Sequence, residues 1–174
     1  MIHRLLLVAA AFVLVHALVS ADVLRGEEKG SYEYEEMVIK GVGFDKITGT
    51  PVVLLTDKKQ GGDMLPIWIG LCEARAIELG ISDSVAPRPM TYDLVAAIVR
   101  TLNAKVKRVL IVDLRDNVFY AQVEVSVGGK TQSIDARPSD ALALALRMGA
   151  PVFVNKAVIK KSLLRKDPEK EREI

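Results

Sequence analysis

The stretch VFYAQVEVSVGGKTQSIDARPSDALALALRMG, from Val118 to Gly149, decides how this chain folds. Val123, Val125 and Val127 alternate with Gln122, Glu124 and Ser126, the period of a half-buried strand running over Val118–Val127. Gly128-Gly129 tolerates positive φ at both positions and so predicts a tight hairpin back into a strand at Thr131–Asp135. Arg137-Pro138-Ser139-Asp140 then opens a helix, Ser139–Met148, that Gly149 stops.

Working outward, Val106–Leu114 forms a strand before Arg115-Asp116-Asn117. Further upstream, Met37–Ile47 and Val52–Thr56 are strands around the turn Thr48-Gly49-Thr50-Pro51. Met64–Ile69 is a third, after Gly61-Gly62, and a helix from Cys72 to Leu79 is stopped by Gly80. Cys72–Leu79 aligns with Ser139–Leu146: small, acidic and Ala positions coincide. Glu73 follows Asp45 by 28 residues and Asp140 follows Asp113 by 27, which suggests a duplicated β-β-β-α unit sharing one core. Between the halves, Thr91–Asn103 reads as a helix with Leu94, Ile98 and Leu102 recurring on one face. A short strand, Val152–Val154, and a helix, Lys156–Leu164, complete an α+β fold, a mostly antiparallel sheet with packed helices.

The whole chain has 174 residues, half of them apolar, and a net charge of +2. It has enough apolar surface to fold and too little positive charge for a clamp of the histone kind. One Cys excludes an intramolecular disulfide and a Cys-rich zinc site. The two His, His3 and His16, lie in a segment with the marks of a secretory signal. That segment has Arg4, an apolar run from Leu5 to Val19, and small residues up to Ala21. Residues 1–21 are therefore expected to be a signal peptide or N-terminal anchor, making the protein exported (periplasmic, extracellular or membrane-anchored). Residues 22–34 read as a linker with Gly26 and Gly30, 35–164 as the domain, and 165–174 as a charged tail.

Two loops enter helices through Arg-Pro: Arg88-Pro89-Met90-Thr91-Tyr92-Asp93 and Asp135-Ala136-Arg137-Pro138-Ser139-Asp140. One reading is capping, with Thr91 and Ser139 hydroxyls on free N–H groups and Asp93 and Asp140 at the positive helix ends. The other is chemical. Arg88 and Arg137 beside exposed N–H donors suit a phosphate, helped by Thr91 and Ser139. Asp135 and Asp140 would converge on a hard divalent cation, unless Asp135 pairs with Arg137 or Arg88. Cys72 at a helix start reads as buried more readily than as a nucleophile. Leu65-Pro66-Ile67-Trp68-Ile69 reads as core or subunit interface rather than a base-stacking platform, and Phe119-Tyr120 as packing.

Together these residues resemble the bifunctional nuclease domain family. The likeness runs through Leu65–Gly70 with Cys72-Glu73-Ala74, Pro87–Leu94, Asp116–Ala121, Ile134–Ala141 and Gly149–Val154, covering about Val38 to Ser162. It implies an α+β, oligomeric domain with nuclease activity on DNA and RNA. Its matching polar residues are Glu73, Arg88, Thr91, Asp93, Asp116, Asp135, Arg137, Ser139 and Asp140. The chain departs from the family at Tyr92, where members commonly carry His, so water activation would pass to a carboxylate or a metal.

The expectation is thus an exported nuclease hydrolysing phosphodiester bonds of DNA or RNA with Mg or Mn, in a homo-oligomer. Asp93, Asp135 and Asp140 are its catalytic candidates, Arg88, Arg137, Thr91 and Ser139 its phosphate contacts, and Asp135, Asp140 and Glu73 its metal ligands. A membrane tether would run through residues 1–21. The rival expectation is a non-catalytic oligomeric binding or structural module on the same fold.

Overall fold

The computed structural model describes residues 33–58, 64–84 and 86–166. The signal segment, most of the linker and residues 167–174 of the tail lie outside the described residues. The strands are β1 (Tyr34–Phe44), β2 (Pro51–Asp57), β3 (Leu65–Trp68), β4 (Lys105–Arg115), β5 (Val118–Val127), β6 (Lys130–Ala136) and β7 (Val152–Asn155). The helices are α1 (Leu71–Ile81), α2 (Thr91–Thr101), α3 (Pro138–Met148) and α4 (Lys156–Lys166).

One sheet holds all seven strands in the order β3-β2-β1-β7-β4-β5-β6. Two meanders, β1-β2-β3 and β4-β5-β6, flank β7, which pairs antiparallel with β1 and parallel with β4. The single parallel ladder arises because α3 carries the chain from the β6 edge back to the sheet centre, a crossover that a hairpin cannot make. The fold is α+β, as expected. The order β-β-β-α occurs twice, but the strands measure 11, 7 and 4 residues in one unit and 11, 10 and 7 in the other. Descent from a duplication stays a proposal drawn from the sequence.

The core lies between the sheet and α1 and α3, which pack on each other. Val53, Leu55, Ile77, Val109, Ile111, Leu142 and Val154 are fully buried there. Turn chemistry follows local sterics: Gly128 and Gly129 have φ of 55° and 81°, and Gly149 closes α3 at φ 61°, all positions costly for a Cβ.

Two local readings yield to packing. Gly80 does not stop α1, which continues to Ile81. A Cβ at Gly80 would lie 2.9 Å from Leu146 Cβ and against the Arg147 guanidinium, so its role is close approach of α1 to α3. The Leu94, Ile98, Leu102 stripe faces outward, at 57%, 50% and 66% exposure. It is Ala96, with Tyr92 and Val99, that α2 turns toward the core.

Candidate functional site

The first turns of three helices meet at the pair Arg137 and Asp140. Glu73 is the third residue of α1, Tyr92 the second of α2 and Asp140 the third of α3, and Arg137 is the N-cap of α3. None of the three N-cap residues, Gly70, Met90 and Arg137, caps with a side-chain hydroxyl. The expectation that Thr91 and Ser139 cap is corrected: each sits inside its helix, and Ser139 is buried at 6% exposure. Pro138 occupies the first turn of α3, where a missing N–H costs nothing.

Arg137 grips Asp140 with both ends of its fork, Nε to Oδ2 at 2.7 Å and Nη2 to Oδ1 at 2.8 Å. The same Nη2 donates to Glu73 Oε1 at 2.9 Å, joining residues 64 apart in the chain. The Tyr92 hydroxyl donates to Asp140 Oδ1 at 2.6 Å. Gly70 makes room for this arrangement, since a Cβ there would run into the Glu73 carboxylate.

Burial would push the Asp140 carboxyl up, but hydrogen bonds from Arg137 and Tyr92 outweigh it and hold the group below the ordinary carboxylate range. Tyr92 moves the other way: burial first, then the bond to Asp140, raises its phenol well above the usual value. Asp140 and then Glu73 hold Arg137 firmly protonated. Tyr92 is therefore a donor and Asp140 an ionised acceptor. With one cation and two carboxylates, the cluster carries a formal charge of −1 that the positive ends of three helices offset.

Arg137 stands between two hollows. One, of about 650 Å³, has apolar walls from Val95, Val99, Val123, Val125, Ile134 and Leu144, with the cluster at its rim. The other, of about 520 Å³, is lined by Trp68, Phe119, Thr50, Asn117 and Ser139 among others.

The remaining expected site residues are not brought together. Asp93 accepts from the Met90 backbone N–H at 2.8 Å and from Arg147 Nε at 2.9 Å. The Met90 bond first, then Arg147, holds its carboxyl low, and it serves the helix junction rather than the cluster. Asp135 is exposed on β6 opposite Gln122. Its neighbours Ile134 and Ala136 line the apolar hollow, so Asp135 faces the other side of the sheet by the two-residue period of a strand. The convergence of Asp135 on Asp140 is not observed, nor is a pairing with Arg137. Arg88 is exposed and makes no hydrogen bond or ion pair among the described residues.

Tyr92 and Arg147 make contacts that the sequence reading does not assign. The side chain of Arg147, 10% exposed, bonds to Asp93 and to the Ala76 carbonyl at 2.7 Å. A charged residue in the apolar run Ala141–Met148 is the signal that marks it. Cys72 is exposed at the wall of the apolar hollow, not buried as the sequence suggests.

Comparison with known proteins places a bifunctional nuclease domain on residues 53–167. Uncharacterised proteins from two Mycobacterium tuberculosis strains are 39% identical over 124 residues, covering 71% of this chain and 73% of theirs. Bifunctional nuclease 1 of Arabidopsis thaliana is 28% identical over 109 residues, 61% of this chain and 34% of that protein. Bifunctional nuclease 1 of Oryza sativa subsp. indica is 26% identical over 104 residues, 58% of this chain and 31% of its own length.

Proposed function

Because the chain belongs to the bifunctional nuclease domain family, we propose that it hydrolyses phosphodiester bonds of DNA or RNA at the cluster of Arg137, Asp140, Glu73 and Tyr92. One observation carries this reading. Three helix N-termini and an exposed arginine come together at the surface, groups that hold a phosphate once Arg137 leaves its carboxylates. The names of the plant relatives support the reaction class.

In this mechanism Arg137 turns from the carboxylates to the phosphate oxygens and stabilises the charge that develops there. Its side chain is 66% exposed, so that movement displaces no core packing. Asp140, held ionised, orients the attacking water and accepts its proton as the new P–O bond forms. The P–O bond to the leaving sugar oxygen breaks, that oxygen takes a proton from solvent, and Tyr92 keeps Asp140 in place. Tyr92 cannot act as the base, because its phenol stays protonated. A divalent cation fits the donor set: Glu73 and Asp140 already face one cationic group, and Mg binds through one or two carboxylates beside water and phosphate. No group of three or more His, Cys, Asp or Glu ligands forms among the described residues. When bound, Mg or Mn would neutralise charge on the phosphate.

Export, with residues 1–21 cleaved or retained as a tether, is part of the same proposal. So is a homo-oligomer, supported by the outward apolar stripe of α2. The rival reading, a non-catalytic oligomeric module, is favoured by the ion pairs that occupy Arg137.

Cleavage of labelled single-stranded DNA and RNA by the purified chain, with Mg²⁺, Mn²⁺ or EDTA, tests the proposal. Asp140→Asn and Arg137→Ala should abolish metal-dependent cutting while their circular dichroism stays native. Cutting by Asp140→Asn at the parent rate would remove the chemistry from this cluster. A folded parent that cuts nothing would sink the nuclease reading and favour the non-catalytic module.

A further inference from the structure

We propose that the hollow lined by Trp68 on the far side of Arg137 is a nucleobase subsite. The inference rests on the nuclease reading above and extends it to where the base of the substrate sits. Trp68 ends β3, where Leu65 and Ile67 are buried at 2% and 3% while Trp68 is 50% exposed. The strand is buried through Leu65, Pro66 and Ile67 and opens to solvent only at Trp68, its last residue, with Ile67 and Ile69 lining the same hollow. Large aromatic surface left in water at the mouth of a hollow is the kind of feature that marks binding rather than packing.

The ring is also held in orientation. The Trp68 indole N–H donates to Asp45 Oδ2 at 3.1 Å. Asp45 is itself anchored by the backbone N–H groups of Ile47 and Thr48 through Oδ1, at 2.9 and 3.0 Å. With its one polar group satisfied, the half-exposed indole presents apolar surface to a ligand, and the bond to Asp45 restrains its side-chain freedom before binding. Phe119 supplies a second aromatic surface in the hollow, and Asn117, Thr50 and Ser139 supply donors and acceptors around it. Asn117 sits at φ 66° in the β4–β5 turn, a conformation Asn tolerates, and its amide can meet either kind of group on a base edge.

Position links this hollow to the chemistry. Arg137 lines it and also forms the cluster, so a phosphate held by Arg137 lies at the wall of the hollow that Trp68 shares. The larger hollow serves a base poorly. Its walls are aliphatic, and its one aromatic residue, Tyr92, is committed to Asp140.

The chain contains a single Trp, so its fluorescence reports this hollow directly. The test titrates the full chain with adenosine 5′-monophosphate, ribose 5-phosphate and inorganic phosphate. Saturable change is expected with the nucleotide alone, and calorimetry should show it binding more tightly than the other two. Trp68→Ala should weaken the nucleotide about tenfold or more, the range for loss of one stacked base, leaving ribose 5-phosphate unchanged. Trp68→Phe should retain part of the affinity. Equal affinity for nucleotide and ribose 5-phosphate, or no effect of Trp68→Ala, would overturn the subsite. The cleavage assay separates the two readings. A parent that cuts oligonucleotides with Trp68→Ala unchanged in KM sinks the subsite and keeps the nuclease. A parent that cuts nothing yet binds the nucleotide through Trp68 keeps the subsite and sinks the nuclease.

Discussion

Replacing Arg147 with Ala should cost about 3 kcal/mol of stability, an estimate built from two hydrogen bonds made by a charged group. Nε bonds to Asp93 at 2.9 Å and Nη1 to the Ala76 carbonyl at 2.7 Å, so one residue of α3 ties α1 and α2 to it. Its backbone carbonyl also accepts from Arg100 Nη2 at 2.7 Å, a contact the substitution leaves available. Bonds of this type contribute about 1.5–3 kcal/mol each. The Asp93 side chain is 34% exposed and keeps its Met90 bond, so solvent screening puts that arm at the lower end.

For a chain of this size the loss corresponds to a fall in Tm of roughly 10 °C, measured by circular dichroism, and Arg147→Lys should lose about half as much. Acid adds a second readout. Because the Asp93 carboxyl is held low, its contribution to stability is present above its unfolded pKa of about 3.9 and fades as pH falls through the lower folded value. Arg147→Ala should shrink that dependence without abolishing it, since the Met90 N–H is the larger cause. A melting point within about 2 °C of the parent would refute the reasoning that Arg147 holds the three helices together.

Other expectations follow from single contacts. Gly80→Ala should destabilise by about 1–2 kcal/mol in denaturant titration, because overpacking against Leu146 exceeds the helix propensity gained; a more stable variant would overturn this. The Tyr92 phenol, raised by burial and then by its bond to Asp140, should ionise only in strong alkali, and Tyr92→Phe should remove that late step in tyrosinate absorbance. Its raised pKa means the stability it contributes is complete below about pH 10 and lost as pH climbs toward the folded value; a Tyr92→Phe variant with the parent's alkaline titration curve would contradict the part-buried bond to Asp140. Asp135→Asn should change stability by less than about 0.5 kcal/mol and leave cleavage unaltered, and a loss of cutting would return Asp135 to the site.

The secondary structure was legible wherever local sterics decide it. The Gly128-Gly129 hairpin, the helix stop at Gly149 and the strand alternation of Val118–Val127 depend on neighbours a few residues away. The same kind of rule failed at Gly80, because what matters there is Leu146 on another helix. The hydroxyl caps failed for a related reason: Pro138 and Met90 set the helix starts and moved Thr91 and Ser139 inward. Arg137, Asp140 and Glu73 were all marked as candidates, yet spacing could not separate them from Asp93 and Asp135.

By itself the sequence determined the α+β class, the strand and helix order and the family, because backbone conformation and apolar periodicity are short-range properties. Only the tertiary structure decided which acid meets Arg137, that Tyr92 donates to Asp140, and that Trp68 stands in solvent rather than in the core. Those outcomes depend on how three helix starts, 48 and 64 residues apart along the chain where they touch, are set side by side by the sheet beneath them. A hydrogen bond works over about 3 Å, and no pattern in the chain specifies such a distance until the core has packed.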